Sequence, residues 1–184
     1  MNILIDASNI VPDSGGFIHL NQLLENYETK EKEIIYVASS SKVIDKLKID
    51  KKKVKYISNF FLNNGILFRF VWQIFFINFC LKKNRCSKLF VLGGYFFFIK
   101  KIRVILLIQN ILPLETKIYL QEKLILIIKN YVLNLLYNFS ISRSDGIILL
   151  SKYSKKFLKK KKIPKKIIKK IIKKKFFRKF KKKK

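Results

Sequence analysis

The chain has 184 residues, of which 49% are hydrophobic, so it is long and apolar enough to bury one core of ordinary domain size. Its formal net charge is +30, but residues 155–184 hold 19 of the 41 basic side chains and no acidic one. The 22 basic and 11 acidic side chains of residues 1–154 leave that part at +11. This composition excludes global disorder, and the lysine-rich end attracts phosphate without bearing on the fold.

The sequence contains few features that indicate a cellular compartment. Cys80 and Cys86 are spaced too widely for a CxxC pair, so free thiols in a reducing compartment and no metal are expected. The first six residues lack the basic start and long apolar run of a secretory signal. Residues 60–81 and 89–108 are too polar for a membrane span, which needs about 20 nearly uncharged residues. We expect a cytoplasmic protein, soluble or peripheral on the inner face of a membrane.

Strand and helix patterns alternate along the chain. Continuously apolar strands are predicted at residues 2–7, 34–38, 54–57, 89–92, 104–108 and 146–150. Helices are predicted to begin near Gly15, after residues 39–41, and near Ser151, with two longer ones at residues 65–81 and 120–139, the last amphipathic. This order predicts an α/β fold, a Rossmann-like parallel sheet with helices on both faces.

Polar residues follow three of the predicted strands, where ligands of such sheets bind. They are Ser14-Gly15-Gly16, Gln109-Asn110 and Ser151-Lys152. Adjacent glycines at a helix N-terminus let backbone amides approach a phosphate, although the pair equally suits a tight turn. Ser151 equally suits a helix cap. Neither GxGxxG nor a P-loop occurs, which argues against a dinucleotide fold or an ATPase.

The order of these segments resembles family 4 of the glycosyltransferases, whose GT-B fold has two facing Rossmann-like domains. The resemblance covers residues 1–160. It rests on the opening strand with residues 14–16 and His19-Leu20, on Leu92-Gly93-Gly94, on residues 108–115 (IQNILPLE) and on residues 144–156 (SDGIILLSKYSKK). It implies that residues 1–156 are an N-terminal, acceptor-side domain and that residues 157–184 are a Lys-rich tail.

The resemblance also implies roles for single residues. Gly15 and Gly16 would approach the phosphates of a nucleotide-sugar donor, which is a substrate and the only small molecule besides the acceptor that is implied. Four residues are candidates for binding a glycan or lipid-linked acceptor: His19, Gln109, Asn110 and Glu115. Many members have a histidine where this chain has Gln109-Asn110. An amide bonds a sugar hydroxyl but is no general base, so no catalytic residue is assigned. His19 and Glu115 also have ordinary structural interpretations.

The donor half of such an enzyme has no counterpart in the sequence. Its two glutamates, separated by seven residues, are matched only by Glu25 and Glu33, which lie in the wrong part of the chain. No glycine follows Lys156, so no glycine-rich donor loop is present. We therefore expect a glycosyltransferase fragment, truncated before the donor-binding domain and inactive alone. It is either a degraded fragment or a subunit that a separately encoded C-terminal half completes.

The tail has two interpretations of its own. Its apolar residues recur at helical spacing between lysines, as in a basic helix that lies on anionic lipid: Ile167, Ile168, Ile171, Ile172, Phe176 and Phe180. Degraded coding sequence would give the same composition. The alternative function is a basic membrane- or nucleic-acid-binding protein acting through this tail. No RRM, zinc-finger or helix-turn-helix signature supports a specific nucleic acid.

Overall fold

A computed structural model describes residues 2–27, 33–47, 49, 52, 54–97, 102–151, 153–154, 158 and 168–170. A parallel sheet forms their centre, with strand order β3-β2-β1-β4-β5-β6-β7. The strands are β1 (Asn2–Asp6), β2 (Ile35–Ala38), β3 (Val54–Ile57), β4 (Cys86–Val91), β5 (Arg103–Ile108), β6 (Gly146–Leu149) and the short β7 (Ile168–Lys170). The predicted Rossmann-like α/β class is confirmed.

Seven helices accompany the sheet in the described ranges. They are α1 (Gly15–Asn26), α2 (Ser41–Lys46), α3 (Phe60–Asn63), α4 (Ile66–Val71), α5 (Ile77–Lys83), α6 (Thr116–Tyr119) and α7 (Leu124–Arg143). A π-helical turn (Trp72–Phe76) joins α4 to α5, and a 3-10 turn (Leu112–Leu114) follows β5. The helix predicted at residues 65–81 is thus present but interrupted by the π turn.

Each face of the sheet has its own core. On one face, α1 and α2 bury Leu20, Leu24 and Val43 against the strands. On the other face, the segment from α3 to α5 and helix α7 bury Trp72 and Ile141. Because both faces are covered, the central strands are apolar on both sides and lack an alternating pattern.

The connections create a switch point at the centre of the sheet. From β1 the chain moves outward to β2 and β3, and it then returns to β4 on the other side of β1. The loops after β1 and β4 therefore leave in opposite directions and open a crevice at the carboxyl ends of these strands. In open α/β sheets, ligands bind at such a crevice.

Helix α7 differs from its predicted amphipathic character. Its buried positions include Asn130, Tyr137 and Ser140, whereas Leu124 and Ile125 are exposed. By length and composition alone, α7 could cross a membrane. From the sequence, only residues 60–81 and 89–108 were considered as candidate spans, and α7 was not considered. Its C-terminal half nevertheless belongs to the core, because the Ser140 hydroxyl accepts a hydrogen bond from Phe96 N (2.9 Å) and donates to Phe96 O (3.1 Å).

The described residues near the end of the tail, Ile168–Lys170, form a strand. Ile168–Lys170 pair in parallel with residues 147–149 of β6, where the spacing of apolar residues predicts a helix. Leu158 is helical and fully buried in the core on the α7 side. Most of the predicted tail helix, including Ile167, Ile171 and Phe176, lies outside the described residues.

Gly94 provides a test of this packing. It has a φ of +81°, and a Cβ added to it would lie 2.5 Å from the Tyr137 ring. Gly94→Ala should lower the free energy of unfolding by about 2–4 kcal/mol, because it combines left-handed strain with a ring collision. Urea denaturation measures the change.

Gly146→Ala in β6 is the matched control, since its Cβ would meet only Ile105 Cγ1 at 4.0 Å. It should stay within about 1 kcal/mol of the parent protein. Equal free energies of unfolding for the two variants would contradict the proposed contact between Gly94 and Tyr137.

Candidate functional site

The first part of the carboxyl edge is the start of α1. Ser14 caps the helix, its Oγ accepting a hydrogen bond from Phe17 N (3.2 Å) and donating one to Val11 O (2.6 Å). Gly15 and Gly16 are the first two helical residues, so the favourable end of the helix dipole lies beside them. A Cβ on exposed Gly15 would meet no atom within 4 Å. The space beside Gly15 is therefore open to a ligand.

The close contact between Gly16 and Gln109 places the end of β5 beside the start of α1. A Cβ on Gly16 would lie 2.9 Å from Gln109 Oε1 and 2.6 Å from Ile10 Cδ1, so only a glycine allows this approach. Gln109 directly follows β5, two strands away from β1 in the sheet. Its Nε2 is buried and lacks a hydrogen-bond partner among the described residues. That unpaired N–H group is a donor for a ligand at this edge.

Glu115 lies just beyond the 3-10 turn and is 9% exposed. Its Oε1 has no hydrogen-bond partner in the described ranges. The hydroxyl of exposed Tyr153 bonds to the Glu115 side chain, and this hydrogen bond raises the pKa of Tyr153. The Tyr153 hydroxyl therefore keeps its proton at neutral pH. No role was predicted for Tyr153, although it lies within residues 144–156, one of the segments that carry the resemblance.

Asn110 and His19 are the other two candidates for binding an acceptor. Asn110 is exposed, and its Oδ1 accepts a hydrogen bond from Leu112 N (2.9 Å), which supports the turn after β5. His19 is partly buried on α1, three residues beyond Gly16, and burial lowers its pKa so that it is neutral at pH 7. Ser151 Oγ accepts a hydrogen bond from Ser154 N (3.0 Å), which confirms its interpretation as a helix cap.

A buried polar cluster at the switch point was missed by the sequence analysis. Asp6, the last residue of β1, is 1% exposed, and its Oδ1 accepts a hydrogen bond from Ser8 N (3.1 Å). Gln73 Nε2 donates to Asp6 Oδ2 (3.0 Å) and to Ser8 Oγ (3.2 Å). Gln73 reaches β1 from the π turn, a structure that often occurs at functional sites. The available signal was Gln73 itself, one of two amide side chains with Asn78 inside a strongly apolar helix.

Burial governs the acid–base properties of this cluster. It raises the pKa of Asp6 from its usual 3.8, and the hydrogen bonds from Ser8 and Gln73 only partly oppose that rise. Burial, and then the charge of Asp6, raises the pKa of Tyr95 to about 12. Tyr95 follows Gly93 and Gly94 in the loop after β4. Burial thus favours the uncharged forms of both Asp6 and Tyr95.

The loops after β1 and β4 meet at Gly93. A Cβ on Gly93 would lie 2.7 Å from Asn9 Nδ2, so the Asn9 side chain packs directly on the Gly93 backbone. That Nδ2 is buried and has no hydrogen-bond partner among the residues that the structure describes. Among the described residues, Gln109 therefore offers an unpaired amide donor at this edge, whereas the Asn9 side chain also lies beside the Tyr95 hydroxyl and lowers its pKa.

An apolar groove lies elsewhere, on the sheet face beneath α1. Ile5, Leu23, Tyr27, Phe90 and Ile105 are among its lining residues, with little polar surface for a sugar or a phosphate. Within the described ranges, no three His, Cys, Asp or Glu side chains come together as metal ligands. The polar carboxyl edge, rather than this groove, is the candidate functional site.

The fold and the site define a class: a Rossmann-like α/β protein with buried polar groups at its switch point. No protein-family model matches the sequence, and no curated protein matches it.

Asp6 predicts a pH dependence of stability. Because its folded pKa lies above 3.8, the folded state binds the proton more tightly, and the free energy of unfolding falls as pH rises from about 3.8 through the folded pKa. Asp6→Asn should remove this slope, about 1.4 kcal/mol for each unit by which the pKa is raised. Urea denaturation at a series of pH values measures it.

The side chain of exposed Asp13, which pairs with Lys46 at the surface, supplies the control. Asp13→Asn should retain the part of the slope that Asp6 contributes. A slope in Asp6→Asn equal to that of the parent protein would show that Asp6 does not titrate in this way.

The contact of Gly16 with its neighbours predicts a coupling. Gly16→Ala should lower the free energy of unfolding by about 1 kcal/mol, because the atoms that must move are the ends of flexible side chains. Ile10→Val removes Cδ1, so the two changes should couple favourably by about 0.5 kcal/mol or more in a double-mutant cycle. The control Gly15→Ala should leave the free energy of unfolding unchanged or raise it slightly. Additive effects of Gly16→Ala and Ile10→Val on that free energy would refute the close approach of Gly16 to Ile10.

Proposed function

We propose that this chain is the acceptor-side, Rossmann-like domain of a glycosyltransferase resembling family 4. Its carboxyl edge would face a nucleotide-sugar that a second domain holds. The observation that carries the proposal is the meeting of Gly16 with Gln109, because it joins two of the strings on which the resemblance depends. The unpaired donor on Gln109 and the unpaired oxygen on Glu115 lie at that same edge.

The proposed division of roles follows from these environments. Gly15, with open space beside it, is where the donor's phosphates would approach the start of α1. Gln109 Nε2 and Glu115 Oε1 would bind hydroxyl groups of the acceptor, a glycan or a lipid-linked sugar. A neutral His19 would supply at most a hydrogen bond, and Asn110 Oδ1 is engaged with Leu112 N.

Chemical transfer is expected to need more than this domain. Donor and acceptor sites that face each other supply different contacts to the transition state, so one of them alone does little. The described residues form a single sheet with one crevice. We therefore expect binding without sugar transfer when this chain is assayed by itself.

The six glycines allow a direct test of binding. In full-length protein labelled with ¹⁵N-glycine, UDP-glucose, UDP-N-acetylglucosamine and GDP-mannose are titrated in turn. The amide signals of Gly15 and Gly16 should shift and saturate with at least one of them, with a dissociation constant on the order of 1 mM. The signal of Gly146, at the opposite end of the strands, should stay in place.

Gly15→Ala is the matched variant, because its methyl group enters the open space without touching the protein. It should abolish the saturable shift of Gly16 and leave the free energy of unfolding within about 1 kcal/mol. A common drift of all the glycine signals, as lysine attraction for anions would produce, counts against the proposal. A response to single-stranded RNA without one to the nucleotide-sugars would favour the charge-based alternative.

A further inference from the structure

The outward face of α7 is apolar, which is unusual for a helix on a water-exposed surface. Five large aliphatic side chains on it are 46–76% exposed: Leu124, Ile125, Ile128, Val132 and Leu135. The polar side chains of Asn130 and Ser140 are turned inward instead. Among the described residues, none covers the outer side of this helix.

A second set of exposed apolar residues lies on the neighbouring helical segment. They are 41–74% exposed on α4, the π turn and α5: Leu67, Phe68, Ile74, Phe75 and Phe79. Both segments cover the same sheet face and are joined through Tyr95, whose ring lies 5.7 Å from Phe70 of α4 and 6.3 Å from Tyr137 of α7. These ten exposed residues together are called the apolar outer face, and a set of this kind marks an interaction surface.

The charged residues around the apolar outer face indicate which kind of partner it fits. Residues 51–114, which include α4 and α5, contain no acidic residue, and α7 contains none either. Eight of the 11 acidic residues lie in residues 1–50, with α1 and α2. Lys83 lies over the ring of Phe79 (5.9 Å) and Arg143 over that of Phe139 (4.0 Å), so positive charge is held beside the apolar outer face.

A second copy of the chain would bring two positive faces together, which opposes self-association. A bilayer that contains anionic lipid offers both an apolar interior and negative headgroups. We propose that the apolar outer face docks on an anionic membrane, with α7 and the α4–α5 segment lying along its surface. This proposal is independent of the transferase assignment and of the tail.

The contacts of α7 determine how it meets the membrane. Its C-terminal half is attached to the core through Tyr137, Ser140 and Ile141. A helix held in this way lies in the interface with one side immersed and does not cross the bilayer.

Vesicle binding of the full-length protein tests the proposal. Partition is measured by co-sedimentation with phosphatidylcholine vesicles that contain phosphatidylglycerol, and with pure phosphatidylcholine vesicles. The double variant Leu67→Gln/Ile125→Gln, at positions 74% and 76% exposed, should lower partition onto anionic vesicles by about tenfold. The control Val11→Gln/Ile18→Gln, at positions 55% and 53% exposed near the start of α1, should change it by less than about twofold.

The lysine-rich tail is identical in all of these proteins, so its attraction to lipid cancels in the comparison. Measurement at about 0.5 M salt, where charges are screened within roughly 5 Å, should weaken binding of the parent and control and eliminate that of the test variant. Circular dichroism verifies folding, and Leu124→Gln/Phe79→Gln serves as a second test pair.

Equal partition of the test and control variants overturns the proposal. Self-association that the test variant abolishes, with vesicle binding unchanged, overturns it in favour of a second copy. An equal loss of vesicle binding in the test and control pairs also overturns the proposal, since the removal of any exposed apolar side chain would then explain the loss. Selective loss in both test pairs supports it. Nucleotide-sugar titrations of the same variants separate this result from the proposed function, since the crevice residues are untouched.

Discussion

The pairing of β1 with β4 is the constraint on which the rest of the structure depends. Because the chain returns to the inner side of β1 after forming β2 and β3, two loops must diverge at the centre of the sheet. Their close passage at Gly93 and Asn9, and the burial of Asp6 below them, follow from that single connection. A different return strand would leave Gln109 far from α1, and the polar groups would not share one edge.

Much of the sheet was predictable because its strands are apolar throughout, and residues 54–57 and 146–149 were located within a residue. A long amphipathic helix was predicted at residues 120–139, and α7 is observed four residues further along, at Leu124–Arg143, with an apolar side exposed. A periodic pattern shows which residues share a side of a helix, not which side meets the core. Here the core side is chosen by single contacts, such as that of Ser140 with Phe96, which no local pattern records.

The candidate site was predictable only in part, for a related reason. Gln109 directly follows β5, and Gly15 and Gly16 begin the helix that follows β1, so topology brings them to one edge. Tyr153 and Gln73 reach Glu115 and Asp6 from distant segments, and the sequence separation of 67 residues between Gln73 and Asp6 hides their contact. The resemblance to a glycosyltransferase supplied roles for some of these residues, and those roles stay predictions.

The π turn between α4 and α5 has a geometric consequence for the surface of the protein. In an uninterrupted α-helix, Leu67 and Phe75 would point about 80° apart and Leu67 and Phe79 about 120° apart, at about 100° per residue. The π turn takes up roughly one extra residue, which brings both phenylalanines to within about 20° of Leu67. The same local widening that carries Gln73 to Asp6 therefore aligns the three side chains into a single ridge. Removing one residue from that turn would disconnect the interior cluster and twist the ridge at once.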